Sequence, residues 1–242
     1  MEVEDDSGRD APWPHRVGDN LYQLFEKPGP IGHDRTRARG WPERAVAVTL
    51  RTRLRSGTMD ADVHPDLAKL SFLIGRWEGV GVAGYADEEE FQFGQEIEFA
   101  HRGDLPYLDY RSRAWRMTPE GTLGELITEE SGYWRALSEE DTARYAKDDD
   151  ANVIHLEVLI AHNEGFIESY LGNVFANRVE MATSAVVHTI TGLEVTASHR
   201  LYGLFGEDRE TLGYAWDLAA RGHDLRSYMS AQMKRTDRND QG

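Results

Sequence analysis

The chain has 242 residues, 40% of them hydrophobic, which suits one large β domain or two small ones. Its 43 Asp and Glu against 27 Lys and Arg give a net charge of −16, a field that repels nucleic-acid phosphates and anionic lipid headgroups. We therefore expect neither nucleic acid nor a membrane as a partner. The absence of cysteine excludes disulfides, thiolate metal sites and a cysteine nucleophile.

The N-terminal segment has the composition of a region outside the folded domain. Residues 1–61 contain several prolines and no sustained apolar period of either kind, and 1–58 cannot bury enough surface to offset the entropy of ordering. No apolar run in the first thirty residues is long enough for a secretory signal, so we expect a cytoplasmic protein. We predict that residues 1–61 are a disordered or misassigned extension, with Met59 as an alternative start, and that 237–242 form a disordered tail.

A short helix is predicted where the apolar spacing changes, just after residue 64. Asp66 is the candidate cap, and Gly75 is placed to end the helix. The apolar positions between them recur every three or four residues: Leu67, Leu70, Leu73 and Ile74. This pattern predicts an entry helix that packs one face on the domain beginning at residue 62.

The rest of the chain, to residue 236, shows apolar residues at every second position, which indicates antiparallel strands with one apolar face. The clearest sets are Phe91, Phe93, Ile97 and Phe99; Ile154, Leu156, Val158 and Ile160; Val179, Met181, Ala185 and Val187; and Leu212, Tyr214, Trp216 and Leu218. A charge-dense run at 138–150 is interpreted as a solvated loop between two strands. About ten strands without crossover helices predict an all-β fold: a closed antiparallel up-and-down β-barrel whose interior holds one small ligand.

The first predicted strand carries the sequence motif that resembles a known family. Gly75-x-Trp77-x-Gly79-x-Gly81 resembles the GxWxGxG signature of the nitrobindin family, whose barrels are similar to lipocalins and fatty-acid-binding proteins. The stretch from Glu130 to Trp134 resembles that family's Glu-Ser-Gly-Tyr segment. The resemblance covers roughly residues 62–236, and it implies that Trp77 closes one end of the barrel while the glycines let the first strand bend.

The resemblance also bears on haem. It implies that members with haem hold the iron through one histidine of the last strand, in a Leu-x-x-His setting, and act on nitric oxide and peroxynitrite. That position is occupied here by Tyr228, within Leu225-Arg226-Ser227-Tyr228. Tyr phenolate does ligate ferric haem in some proteins, although a strand tyrosine is more often a packing residue. We therefore expect no cofactor, with haem b only if Tyr228 substitutes for histidine. The family further suggests a homodimer.

Arg200 and Tyr202 form a second candidate binding pair. They share one face of a late predicted strand, and fatty-acid-binding proteins use a similar Arg-x-Tyr pair to hold a carboxylate inside the barrel. A buried arginine needs an anionic partner. The sequence leaves open whether Arg200 faces a ligand inside the barrel, or faces solvent or a neighbouring glutamate of the sheet.

Sequence motifs for catalysis and metal binding are missing. There is no Gly-x-Ser-x-Gly, no phosphate-binding glycine loop and no His-x-His or HExxH spacing, so no catalytic or metal-binding residue is predicted. Three functions remain: a barrel that binds a small apolar or mildly acidic ligand and has lost histidine-ligated haem; a ferric haem protein acting on peroxynitrite or nitric oxide; and a structural barrel filled by its own side chains. We favour the first.

Overall fold

The computed structural model describes residues 63–86, 88–145, 155–206 and 209–236. The predicted N-terminal extension and the C-terminal tail lie outside these residues, as does Ile154.

Ten strands in the described residues form one closed barrel, which confirms the predicted fold class. Each strand pairs antiparallel with its neighbours in sequence, and the last strand pairs with the first. The strands are β1 Gly75–Ala83, β2 Phe91–His101, β3 Tyr107–Met117, β4 Leu123–Ala136, β5 Leu156–His162, β6 Phe166–Phe175, β7 Arg178–His188, β8 Val195–Phe205, β9 Thr211–Ala220 and β10 Arg226–Arg235. Because the connection order is a simple meander, the loops gather at the two ends of the barrel.

The predicted entry helix is a 3-10 helix, Pro65–Leu73. Its period of three residues puts Leu67, Leu70 and Leu73 on one face, and all three are buried. The cap differs from the prediction: the His64 side chain, rather than that of Asp66, accepts the hydrogen bond, from the Asp66 amide at 3.2 Å. Pro65 explains the shift, because proline suits the first helical position and makes the preceding residue the cap.

Trp77 and two glycines of the first-strand motif are closely packed in the structure. Trp77 is 1% exposed, and its indole N–H donates to the Leu73 carbonyl at 2.8 Å, so it joins β1 to the entry helix at one end of the barrel. A Cβ at Gly79 would lie 2.0 Å from the Gln232 carbonyl oxygen, and one at Gly81 would lie 2.2 Å from that of Ser230. The glycines therefore permit the close approach of β10 to β1, where the barrel closes.

One predicted apolar face is wrong in its second half. Val179 and Met181 point into the barrel, but Ala185 and Val187 are exposed. The register between β6 and β7 shifts near Ser169 and Tyr170, and one extra residue on β7 reverses which side chains point inward. The alternation of apolar residues does not reveal a bulge, so the predicted apolar face was extended through the bulge to Ala185 and Val187.

The charge-dense segment after β4 is not entirely a loop. Glu139–Tyr145 is a short α-helix, α1, and the Ser138 hydroxyl caps it by accepting from the Asp141 amide at 3.1 Å. The sequence signal was Ser138-x-x-Asp141, a pattern typical of a helix start. Residues 146–154 lie outside the described part of the chain. No helix among the described residues has the length and apolar character needed to cross a bilayer.

A histidine bridge links three strands on the face of β8 opposite Arg200. The His199 ring lies 3.2 Å from a Glu180 oxygen on β7 and 3.5 Å from an Asp217 oxygen on β9. Burial opposes the charge, but hydrogen bonds to Asp217 and Glu180 outweigh it and raise the pKa of His199 from 6.5 to about 9. The bridge is therefore an ion pair at neutral pH.

Replacing His199 by Gln should lower stability in a pH-dependent way. A pKa that is raised in the folded state contributes stability that is complete below the unfolded value of about 6.5 and is lost as pH rises through about 9. The difference in unfolding free energy between the wild type and His199→Gln should therefore be a few kcal/mol near pH 6 and shrink by pH 10. Urea unfolding across this range measures it. A difference that grows with pH would contradict the assignment.

Candidate functional site

The interior of the barrel contains a charged cluster centred on Arg200, which is fully buried. Its guanidinium donates two parallel hydrogen bonds to the Glu130 carboxylate of β4, both at 2.9 Å, and a third to the Tyr170 hydroxyl at 2.8 Å. The Trp216 ring lies 3.9 Å from the guanidinium carbon. The fork geometry of arginine matches a carboxylate, so the pair is both charge-balanced and fixed in orientation.

A second carboxylate, Glu168 of β6, extends this cluster. It accepts hydrogen bonds from Tyr170 at 2.6 Å and from the Ser198 hydroxyl, and it lies 3.4 Å from Arg200. The His162 ring nitrogen Nε2 lies 2.8 Å from the same carboxylate. We call Glu130, His162, Glu168, Tyr170, Ser198 and Arg200 the interior cluster. Its members come from the adjacent strands β4, β5 and β6 and from β8, which is separated from β6 by β7.

Two opposing effects determine whether the glutamates of the interior cluster are ionised: burial favours the neutral acid, and the neighbouring charges and hydrogen bonds favour the carboxylate. Burial alone would raise the pKa of Glu130, but the charge of Arg200, the neighbouring His162 and the hydrogen bonds from Arg200 and Tyr110 together outweigh it, and the pKa of Glu130 lies below its usual value. Burial likewise opposes ionisation of Glu168, and hydrogen bonding from His162 together with Arg200 lowers its pKa. Both glutamates are therefore carboxylates at neutral pH. Breaking any of these contacts would leave a buried charge without compensation.

The predicted binding pair therefore has a different role. Arg200 does face the barrel interior, but its guanidinium is occupied by Glu130 of the same chain. Tyr202 is also buried, and its hydroxyl lies 3.2 Å from that of Tyr110, which donates to Glu130 at 2.6 Å. Burial raises the pKa of Tyr202 to about 12, so it remains a neutral phenol. Arg200 and Tyr202 thus fill the barrel rather than present a free anion site.

Sequence reasoning missed Glu130 and Glu168 as partners of Arg200, and His162 as a partner of Glu168. The signal was present in the strand period: His162 continues the inward set of Val158 and Ile160, and Glu168 lies between Phe166 and Tyr170. A charged residue at an apolar position of a strand needs a partner inside the barrel. Which partner it meets depends on contacts across the barrel, which the sequence pattern does not specify.

A pocket opens at the end of the barrel opposite the entry helix. Its volume is about 240 Å³. The lining residues come from five loops and the strand ends beside them: Tyr85, Glu88, Phe91, Arg116, Glu125, Leu126, Ile127, Glu164, Leu193, Leu218, Ala220, Arg221 and Tyr228. This is the end at which β1 finishes and β10 begins, and it brings Tyr228, the residue singled out by the resemblance, into the pocket.

Tyr228 lies at a bulge, because the β9–β10 register shifts between Ser227 and Met229. Its ring packs edge-on against Tyr85 at 5.8 Å and against Trp216 at 5.1 Å. Trp216 in turn contacts Arg200 of the interior cluster. Burial, and then the charge of Glu164, raise the pKa of Tyr228 well above its usual value, so the hydroxyl is protonated at neutral pH.

Ionisable side chains surround this phenol. Arg221 pairs with Glu88 of the β1–β2 loop at 2.8 Å, so this acidic side chain lies at the mouth as half of an ion pair. Glu164 accepts a hydrogen bond from Thr128 at 3.1 Å, and burial raises its pKa. Arg116 lies with its guanidinium carbon 3.4 Å from the centre of the Phe91 ring. The pocket is therefore polar at its mouth and apolar along Leu193 and Leu218.

The donor set can be compared with what a haem iron requires. Among the described residues that line the pocket there is no histidine; the side-chain oxygen donors are the phenols of Tyr228 and Tyr85 and the carboxyl groups of three glutamates. The Tyr85 hydroxyl is already hydrogen-bonded to the backbone of Leu218 and Ala220. His223, in the turn before β10, has its ring centre 5.9 Å from that of Tyr85. These residues do not fit a haem held by an imidazole of the pocket, and a protonated phenol is a weak ligand.

Comparison with known proteins places the chain in a family. Residues 66–235 match the model described as THAP4-like, heme-binding beta-barrel domain. The chain is 61% identical over 180 residues to the ferric nitrobindin-like protein of Thermobifida fusca, covering 74% of this chain and 99% of that protein. It is 38% identical over 180 residues to the peroxynitrite isomerase of Parafrankia sp., covering 72% and 82%.

A solved structure supports the same assignment. The crystal structure of Rv2717c from M. tuberculosis aligns with a TM-score of 0.56 and 27% identity, covering 72% of this chain and 99% of that one. The matched family region begins one residue into the entry helix and ends with the last residue of β10. The chain therefore belongs to the nitrobindin family of THAP4-like, heme-binding β-barrels.

Proposed function

We propose that this protein is a ligand-binding barrel of the nitrobindin family in which the pocket around Tyr228 takes a small apolar or mildly acidic molecule, and in which histidine-ligated haem binding has been lost. The observation that carries the proposal is the protonated phenol of Tyr228 in a pocket that no described histidine lines. The interior cluster fills the barrel beneath Trp216, so the ligand is confined to the pocket.

A ferric haem protein that acts on peroxynitrite or nitric oxide, with Tyr228 as the ligand of the iron, is the second candidate. The comparisons support it more directly than the first, because the matching family is described as heme-binding and relatives at 38% identity are named peroxynitrite isomerase. When bound, haem would supply the iron chemistry. The protein would have to hold Tyr228 as a phenolate against burial and the charge of Glu164, although ferric iron itself favours that form.

Haem titration of the wild type and two variants separates these candidates. We expect weak or no ferric haem binding by the wild type and a new Soret band in Tyr228→His. Because even outer-sphere partners change metal affinity by about 10–100-fold, supplying the missing donor should raise haem affinity at least about tenfold. Tyr228→Phe is the matched control, since it removes the hydroxyl and keeps the ring that packs on Tyr85 and Trp216.

The same titration can overturn the first candidate. Stoichiometric, sub-micromolar haem binding by the wild type, together with its loss in Tyr228→Phe, would establish the tyrosine-ligated haem protein. Native mass spectrometry of the purified wild-type protein addresses the third function: a co-purified small molecule contradicts a barrel filled only by its own side chains.

A further inference from the structure

We propose that the ligand of this pocket is a small amphipathic anion, bound with its charged group against Arg116 at the mouth and its uncharged end towards Tyr228. This inference rests on the proposed function, because it assigns the chemistry of the ligand that the same pocket takes. It specifies both a charge and an orientation, each of which follows from a different set of contacts.

The charge follows from the two arginines of the pocket. Arg221 is neutralised by Glu88 at 2.8 Å. Arg116 has no carboxylate of a described residue within ion-pair distance, and its guanidinium lies flat on the Phe91 ring at 3.4 Å. Stacking on an aromatic ring holds the guanidinium in place while leaving its N–H donors available. Arg116 is therefore a positioned cation that a ligand carboxylate can reach.

The orientation of the ligand follows from the residues beside Tyr228. Tyr228 and Glu164 line the same pocket. Burial, and then the charge of Glu164, raise the pKa of the Tyr228 phenol. Arg221 opposes this effect in part, but it is paired with Glu88, and the carboxylates of Glu130 and Glu88 add to the negative potential. An anionic group placed here would be repelled, whereas an uncharged acceptor group would accept a hydrogen bond from the Tyr228 hydroxyl. The charged end of the ligand is thus directed to Arg116.

The body of the ligand is defined by the walls and the volume. Ile127, Leu193 and Leu218 supply aliphatic surface to the same pocket. At about 240 Å³ the pocket is smaller than the roughly 300–1,000 Å³ typical of sites for drug-sized molecules. A medium-length aliphatic carboxylate has the size, the apolar body and the single charge that these features require.

Calorimetric titration with octanoate and with octanamide tests the inference, since the two probes differ in charge and hardly in shape. At low ionic strength and neutral pH, we expect the wild type to bind octanoate about three- to tenfold more tightly than octanamide, as an accessible charge-assisted contact allows. Arg116→Gln should abolish this preference by weakening octanoate binding more than octanamide binding. Arg113→Gln is the matched control on the same strand, because Arg113 pairs with Glu129 outside the pocket and should retain the preference.

Each outcome is decisive. Equal affinities for the two probes in the wild type, or a preference that survives in Arg116→Gln, would overturn the inference while leaving a ligand-binding pocket in place. Failure of the wild type to bind either probe at millimolar concentration would overturn the inference and the proposed small-ligand function together. Loss of the preference as salt is raised, with octanamide binding constant, would support a charge-based contact at the mouth.

Discussion

Glu130→Gln should destabilise the protein by about 3–5 kcal/mol, because it removes one charge of a buried pair and leaves Arg200 without its bidentate partner. Gln has the shape of Glu, so the change tests charge rather than volume. Tyr110, which donates to the same carboxylate at 2.6 Å, loses its acceptor charge as well. Urea unfolding at neutral pH measures the loss.

The neighbouring residue provides a control with the same chemistry. Glu129 pairs with Arg113 at 2.6 Å, but the side chains are 43% and 45% exposed. Since exposed pairs contribute about 0–1 kcal/mol, Glu129→Gln should change the unfolding free energy by less than about 1 kcal/mol. Equal losses in the two variants would show that burial of the interior cluster adds nothing to the contribution of Glu130.

Trp77→Ala should cost about 3–5 kcal/mol, the usual penalty for removing a large aromatic side chain from a core. The ring is 1% exposed, its N–H is bonded to the entry helix, and the guanidinium carbon of Arg235 lies 4.2 Å from the ring centre. The substitution therefore loosens the entry helix and the β1–β10 junction at once. Thermal and urea unfolding give the loss.

Two further variants make this result specific. Trp77→Phe keeps most of the apolar contact and removes only the hydrogen bond to Leu73, so it should lose about 1–2 kcal/mol. Trp115→Ala removes a partly exposed tryptophan on β3 and should cost less than Trp77→Ala. Near-wild-type stability of Trp77→Ala would mean that the entry helix and the first strand do not depend on this side chain.

The fold was predictable because β-strand alternation is a local signal. The set Leu212, Tyr214, Trp216 and Leu218 is buried as predicted, since β9 has no bulge within it. The set on β7 failed at Ala185, where an extra residue reverses the alternation. A bulge depends on the partner strand, so a single strand's sequence does not specify it.

The candidate site was predictable only in part. The resemblance identified Tyr228 as a key position, and the structure places it in the pocket. Arg200 was recognised as a side chain that needs an anion, but its partner, Glu130, is seventy positions away along the chain. Pairing across a barrel depends on how the sheet closes, which is a tertiary property. The other pocket residues come from separate loops and share no sequence pattern.

The closing pair of strands has a consequence for folding. β1 pairs with β10, so Trp77 lies opposite Arg235, and these residues are separated by nearly the whole barrel sequence. During synthesis β1 has an unpaired edge until the last strand emerges, and non-local pairing of this kind slows folding. Loss of β10 would leave edges on both β1 and β9, which are templates for aggregation. Only a chain that has been translated through β10 can therefore pair the edges of β1 and β9 and close the barrel.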